Sequence, residues 1–192
     1  MTKPLTFHDI ASAIQASLTP DLLEKKYREQ LTADDPPETG HCAIASEAFY
    51  HFAGGKEAGF VPAVVSYAAD GKGHLKFGDE KEAAFKKGWR RDSHWWIRGP
   101  KNGARGEGKL FDVTAAQFRD AFPYEKGHNT GFMQPQQKPS KRAKILMARV
   151  EDMLGKEVLE EFRRNNISAY RAAARLNPPT HTSHRAARSP RI

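Results

Sequence analysis

Apolar positions recur at helical spacing in several separate parts of the chain. The pattern predicts one helix over residues 7–18 and a second over 19–31, where a threonine N-cap is followed by proline at the first helical position. A third helix is predicted over 42–52, because apolar side chains repeat there every four residues and a glycine pair follows. Residues 138–176 are also strongly helical, with Gly155 as a break.

Three segments carry strand signals instead. Residues 60–68, 93–99 and 108–114 are short and rich in β-branched and aromatic residues. The glycine-rich, charged stretches between them predict loops with a short helix over 80–87, and Thr114 is the expected N-cap of one more helix. Helices come first and strands mainly follow, which favours an α+β fold with an antiparallel sheet.

Charge divides the chain into unequal parts. Residues 138–192 hold 13 Lys or Arg and 5 Asp or Glu, which accounts for the whole formal net charge of +8. We therefore predict a neutral folded domain over 1–137, a basic helical extension over 138–176 and a disordered basic tail over 177–192. The basic region 138–192 could bind nucleic acid or an acidic partner weakly, or be a solvated end. The apolar stripe within 140–165 must cover either the domain or a second copy of the chain.

The sequence carries no sign of a membrane or of secretion. It contains no apolar run of the length that spans a bilayer, and its first residues lack an apolar signal core. Its single cysteine cannot form an internal disulfide, which fits a reducing compartment. We expect a cytoplasmic protein without membrane contact.

That single cysteine, Cys42, stands at the start of a predicted helix. Unpaired N–H groups and the helix dipole at such a position lower a thiol pKa, and the N–H of Cys42 is placed to stabilise an oxyanion. Gly40 just before it allows close approach of a substrate to the backbone. The competing interpretation is a buried structural cysteine, which is a common role for this residue.

A cysteine nucleophile also needs a base and a group that orients the base. His94 is the candidate base, and it shares a strand face with Trp96. Asp112 on the next predicted strand is the candidate orienting carboxylate, because neighbouring strands can place it beside His94. Alternatively, His94 is a hydrogen-bonded core residue and Asp112 starts a turn.

Other chemistries find little support in the sequence. His41, Cys42 and His94 could be combined as zinc ligands, but the chain has neither a Cys-x-x-Cys motif nor a His-x-Glu pair. Its glycines lack the spacing of a phosphate-binding loop. No metal and no cofactor is expected.

Three blocks, GHCAIASEAFYHFAGG, SHWWI and LFDVTAAQF, are similar in order and spacing to the YunG-like family of small bacterial and phage proteins. That family resembles a compact relative of the papain-like cysteine hydrolases, including the NlpC/P60 and transglutaminase-like groups. The resemblance covers roughly residues 20–145. It implies a helix packed on an antiparallel sheet, with Cys42, His94 and Asp112 as a catalytic triad.

From these features together we predict a cysteine hydrolase or amidase that acts on a peptide, isopeptide or side-chain amide. Cys42 is the nucleophile, His94 the base and Asp112 its orienting group. Gly40, His41 and Trp96 are expected to bind substrate, shield the site or contribute to the oxyanion hole. The alternative is a non-catalytic binding or phage-structural protein that keeps the fold and associates through its basic C-terminal region.

Overall fold

The computed structural model describes residues 4–118, 120–132 and 138–177. The helices are α1 (Phe7–Ala16), α2 (Lys25–Arg28), α3 (Cys42–Phe52), α4 (Gly78–Lys86), α5 (Lys141–Leu154) and α6 (Lys156–Leu176). The strands are β1 (Val61–Ala69), β2 (Leu75–Lys76), β3 (Arg90–Arg98), β4 (Leu110–Phe111) and β5 (His128–Asn129). No helix in these ranges combines the length and the apolar character needed to cross a bilayer.

One small antiparallel sheet is built around the long pair β1 and β3. These two strands pair over their full length, with Val65 opposite His94. The strands β2 and β5 both pair with β1, and β4 pairs with β3 only at residues 97 and 98. The mixed α+β class with an antiparallel sheet is therefore confirmed.

The two faces of the sheet belong to two separate clusters of buried side chains. The larger core is formed by side chains of α1, α3 and α5 together with one face of the sheet, because the apolar stripes of these helices are buried against it. Its main buried members are Ile10, Ile14, Leu22, Phe49, Phe52, Ile97, Val113, Leu146, Val150 and Leu159. On the other face a smaller, mostly aromatic cluster is formed by Ala63, Val65, Tyr67, Trp96 and Phe122.

Two predicted helices are much shorter than the sequence pattern indicates. The segment after Thr19 forms a 3₁₀ turn, Pro20–Leu22, and the four-residue helix α2. Leu22 and Leu23 are adjacent and both buried, and the extended backbone at Leu23 allows this, whereas a helix with one buried face does not. The helix predicted after Thr114 is reduced to the 3₁₀ turn Ala115–Gln117.

The C-terminal helices share the core of the preceding domain. Leu146, Val150 and Leu159 are buried within it, and the ring of Phe162 lies 5.2 Å from that of Phe7. The apolar stripe thus covers the body of the same chain. Two apolar residues between positions 140 and 165, Ile145 and Val158, are exposed, so they lie outside the packed face.

A buried carboxylate ties α5 to the cysteine helix. Glu47 on α3 accepts hydrogen bonds from the backbone N–H of Ser140 at 2.8 Å and from its hydroxyl at 2.7 Å. Ser140 is also the N-cap of α5, since its hydroxyl accepts from the N–H of Ala143. Core packing and this link both cross the charge-defined boundary at residue 137. The division into three parts stays a prediction, and residues 178–192 of the tail lie outside the described residues.

Candidate active site

A buried histidine and aspartate meet where β3 and β4 lie side by side. His94 belongs to β3, and Asp112 directly follows β4, whose pairing with β3 brings the two side chains together. The Nε2 atom of His94 lies 2.7 Å from Oδ2 of Asp112. Both side chains are almost fully buried, with exposed fractions of 0% and 2%. The predicted base and its orienting carboxylate are thus in direct contact.

Asp112 accepts further hydrogen bonds from nearby loops. The hydroxyl of Tyr124 donates to its Oδ2 at 2.7 Å, and the backbone N–H of Thr114 donates to Oδ1 at 2.9 Å. Burial alone raises the pKa of Asp112, but the bonds from His94, Tyr124 and Thr114 outweigh it and hold the pKa below its usual value. The carboxylate is therefore ionised at neutral pH and fixes the imidazole ring.

The second ring nitrogen of His94 faces a glutamine. Its Nδ1 lies 3.3 Å from the side-chain amide nitrogen of Gln117, which also donates to the carbonyl of Thr114 at 2.9 Å. These partners assign a neutral ring that donates from Nε2 to Asp112 and accepts at Nδ1. The ring is enclosed by Phe118 and Phe122, with centroid distances of 4.6 Å to each.

Cys42 is the first residue of α3, as predicted, but its thiol is turned to a backbone group. Sγ lies 3.6 Å from the carbonyl oxygen of Ser93, to which it donates. Burial raises the pKa of Cys42 to about 12, and the charges of Asp92 and Asp112 act in the same direction. The expectation of a lowered thiol pKa is therefore wrong for this arrangement, because burial outweighs the helix start.

No hydrogen bond joins Cys42 to the ring of His94 in the part of the chain that the structure describes. The two residues nevertheless belong to one neighbourhood, since Ser93, the acceptor of the thiol, directly precedes His94. Two of the three predicted catalytic side chains are thus paired, and the third bonds to the backbone of the same strand instead of to the base.

An open cleft of about 1850 Å³ lies beside these residues. Cys42 and Gln117 are both among the residues that line it. Other residues of the wall near them are Tyr67, Asp92, Ser93, Trp95, Phe118 and Phe122. Cys42 and Gln117 therefore border the same cleft.

The other three predicted site residues have different positions. Gly40 lines the cleft with a φ of +78°, a conformation that favours glycine. The buried ring of His41 has its nitrogens 3.0 Å from the carbonyls of Thr39 and Thr19, so neither nitrogen faces a substrate. Trp96 is fully buried beside His94, with ring centroids 5.9 Å apart, so it shields the base and does not line the cleft.

Neither Gln117, which lies in the block LFDVTAAQF, nor Tyr124 was among the predicted site residues. Gln117 ends the 3₁₀ turn Ala115–Gln117. A side chain three residues after Thr114 can fold back to bond to the carbonyl of Thr114, as Gln117 does, and this spacing is a signal in the sequence. Tyr124 reaches Asp112 from a separate turn, Tyr124–Lys126, and no local pattern in the sequence indicates that contact.

We expect Tyr124→Phe to lower the free energy of unfolding at neutral pH by about 1–2 kcal/mol, the cost of one hydrogen bond to a charged acceptor. The stabilisation from Asp112 is present above its unfolded pKa and is lost as the pH falls through the lower folded pKa. Removing the Tyr124 hydroxyl raises the folded pKa, so this loss begins at higher pH. Urea unfolding between pH 3 and 7 measures both effects.

Tyr27→Phe is the matched control, because the Tyr27 hydroxyl makes no side-chain hydrogen bond to any residue that the structure describes. It should change neither the free energy of unfolding nor its pH dependence. Equal behaviour of the two variants would show that the Tyr124 bond does not support Asp112.

Within residues 4–118, 120–132 and 138–177, no three His, Cys, Asp or Glu side chains converge on a site that could hold a metal ion. Comparison of the chain with protein-family models, with curated proteins and with solved structures gives no match in any of the three. The chemistry of the site therefore has to be argued from its own geometry.

Proposed function

We propose that the protein is a cysteine hydrolase or amidase of the papain-like, YunG-like kind, with Cys42 as nucleophile. The observation that carries the proposal is the buried pair of His94 and Asp112. Among the described residues, the second imidazole nitrogen, Nδ1, is hydrogen-bonded to Gln117 alone, and Gln117 lines the cleft that Cys42 also lines. An oriented imidazole near a cysteine that borders a cleft is an arrangement that nucleophilic cysteine catalysis uses, although the thiol itself is buried in the resting protein.

In the proposed reaction, His94 Nδ1 takes the thiol proton as Sγ of Cys42 bonds to the carbonyl carbon of the amide. The oxyanion that forms is stabilised by the N–H of Cys42, which has no acceptor one turn earlier in α3. The C–N bond then breaks, and the proton on His94 goes to the leaving amine. Water, deprotonated by His94, cleaves the resulting thioester and restores the thiol. Asp112 stabilises the imidazolium throughout.

Two side chains have to move before this reaction begins. The thiol leaves the carbonyl of Ser93, and the amide of Gln117 leaves Nδ1 of His94. Both broken bonds are long, at 3.6 Å and 3.3 Å, so substrate binding in the cleft can supply the free energy for the exchange. The resting thiol is then neutral, and it becomes a nucleophile in the minor state in which Gln117 has left His94, a state that substrate binding favours.

The test uses p-nitrophenyl acetate, an activated ester that needs no specific recognition. We expect release of one equivalent of p-nitrophenol and an acetyl group on Cys42, measured by intact mass, followed by slow hydrolysis. Both signals should disappear in Cys42→Ala and fall at least tenfold in His94→Gln. His8→Gln, at an exposed histidine, is the control and should retain both. Acetylation that is unchanged in His94→Gln would contradict the proposal.

A second candidate is a non-catalytic binding protein that keeps this cleft and associates through its basic C-terminal region, with nucleic acid or an acidic protein as partner. The observation that favours it is the thiol itself, which burial keeps neutral and which donates to a backbone carbonyl. On this alternative, Cys42→Ala should leave every binding property of the protein unchanged, and no acetyl-enzyme should form with the ester.

A further inference from the structure

Only part of the outer edge of β3 is covered. One edge of this strand pairs with β1 along its whole length, whereas β4 covers the other edge only at Ile97 and Arg98. In an antiparallel ladder, alternate residues direct their N–H and C=O groups to opposite edges. Gly99, whose N–H donates to the carbonyl of Lys109 at 2.8 Å, shows that the odd-numbered residues face the outer edge.

The start of α3 covers the next two positions on that edge. The hydroxyl of Ser46 donates to the carbonyl of Trp95 at 3.0 Å, and the thiol of Cys42 donates to the carbonyl of Ser93. The sulfur therefore occupies the place where a neighbouring strand would put a backbone donor. Among the described residues, Cys42 is the last group that bonds to this edge.

Arg91 is the next residue that faces the outer edge, and its backbone is open there. Among the described residues, no backbone group outside the sheet bonds to its N–H or C=O. It lies two residues from Ser93, so about 7 Å of strand separates the free groups from the position of the thiol. A chain that pairs with Arg91 is directed along the edge to Cys42.

The cleft provides the space for such a chain. Arg90 and Asp92 line one wall, and Gln30, Leu31, Thr32, Asp34, Asp35 and Pro36 line a second wall, which the guanidinium of Arg90 reaches through a 3.0 Å hydrogen bond to the side-chain oxygen of Gln30. Asp34 and Asp35 on that second wall are exposed, and neither takes part in an ion pair with any described residue. Since the guanidinium of Arg90 is already paired with Asp92, Asp34 and Asp35 offer two carboxylates to a basic group of the occupant.

We infer that the outer edge of β3 at Arg91 binds an extended peptide with a basic side chain as an added strand, and that this pairing delivers the peptide's amide to Cys42. An exposed edge recognises main-chain N–H and C=O groups, which selects a polypeptide over a small amide. The inference names the substrate class of the proposed function and rests on it for the cleavage, but not for the binding.

The first test compares alkylating peptides that differ only in their backbone. Acetyl-Lys-Leu-Ala-Gly chloromethyl ketone is reacted with the protein, and the rate of adduct formation on Cys42 is followed by intact mass. Each backbone nitrogen of the probe is then methylated in turn. We expect at least one methylation to slow the reaction by about tenfold, because it removes a bond to the strand edge. Equal rates for all the probes would overturn the inference.

The second test changes the edge of the protein. Arg91→Pro removes the backbone donor at the free edge, whereas Arg91→Ala changes the same side chain and keeps the N–H. The sensitivity to methylation should vanish in the proline variant and persist in the alanine variant, with folding of both checked by circular dichroism. A proline variant that still distinguishes the methylated probes would overturn the inference. If the proline variant does not fold, the reaction rates of the methylated probes with the unaltered protein still test the inference.

Binding is separated from catalysis with Cys42→Ser and the same peptide as a fluorescent amide. Fluorescence anisotropy should show binding that weakens at least threefold when glutamate replaces the lysine of the peptide, because Asp34 and Asp35 then repel it. If the peptide binds in this way but acetylation of Cys42 by the ester is unchanged in His94→Gln, the hydrolase proposal is refuted and the binding of a peptide at the β3 edge is retained. An ester reaction that depends on His94 without any peptide binding would refute the peptide edge alone.

Discussion

Replacing Asp112 by alanine is expected to lower the free energy of unfolding by about 3–5 kcal/mol, because three donors that are buried or partly buried lose their acceptor. The change leaves three groups without an acceptor, namely Nε2–H of His94, the hydroxyl of Tyr124 and the backbone N–H of Thr114. Each unsatisfied buried donor costs on the order of 1–3 kcal/mol. Urea unfolding of Asp112→Ala at pH 7 measures the total loss in the free energy of unfolding.

Asp120→Ala is the control for this experiment, because Asp120 is an exposed aspartate at the same cleft. It should change the free energy of unfolding by less than about 0.5 kcal/mol. A comparably small change in Asp112→Ala would contradict the buried pair on which the site is built. Asp112→Ala should also reduce the acetylation of Cys42 by p-nitrophenyl acetate, since the imidazole loses the group that orients it.

Leu146→Ala is expected to lower the free energy of unfolding by about 3 kcal/mol, the usual cost of truncating a buried leucine. Leu146 is completely buried on α5, in one core with α1 and α3. The neighbouring Ile145 is 48% exposed, so Ile145→Ala should cost less than about 0.5 kcal/mol. Thermal or urea unfolding of the two variants side by side measures the difference.

The reverse order of these two effects would place the other face of α5 against the domain. Equal small effects would indicate that residues 141–154 are an appendage that folds apart from the core, as their charge suggested. In either case, the link between Glu47 and Ser140 would also have to be absent from the folded protein.

Helix α3 was predicted with its observed bounds, Cys42–Phe52, because its apolar spacing and the glycines that follow are local signals. The break at Gly155 was likewise confirmed, since its φ of +86° suits glycine. The charged start of β3, Arg90–Asp92, was missed. Those residues are strand because they pair with β1, and a single sequence does not encode that partner.

The division of the chain by charge obscured the packing of α5. The net charge of residues 138–192 is an average over faces, whereas burial depends on one face only. Leu146 and Val150 lie on the buried face, and the basic residues Arg142 and Arg149 reach the segment that begins at Thr19. A segment can therefore be strongly basic and still supply part of the core.

In the candidate site, the pairing of His94 with Asp112 followed from their places on neighbouring strands. The direction of the Cys42 thiol did not follow, because its acceptor is a backbone carbonyl, that of Ser93, and every residue has one. Gln117 was missed since its contact with His94 comes from a 3₁₀ turn that the pattern had predicted as a longer helix.

The rate of Cys42 alkylation by iodoacetamide between pH 5 and 11 decides whether His94 acts on the thiol. A buried thiol whose pKa is raised to about 12 reacts through its small thiolate fraction, so its rate rises steadily with pH. A thiol that passes its proton to an imidazole adds a second, faster phase with an inflection near neutral pH. We expect the unaltered protein to show both the phase near neutral pH and the rise at high pH. The reason is that the ion pair of the Cys42 thiolate and the His94 imidazolium is a minor state beside the neutral resting form.

In His94→Gln, the phase near neutral pH should disappear, while the rise at high pH should remain. His8→Gln, at an exposed histidine, should retain both phases. A single steady rise in the unaltered protein, with the same rates in His94→Gln, would show that Cys42 and His94 never share a proton, and Cys42 would then be a structural cysteine.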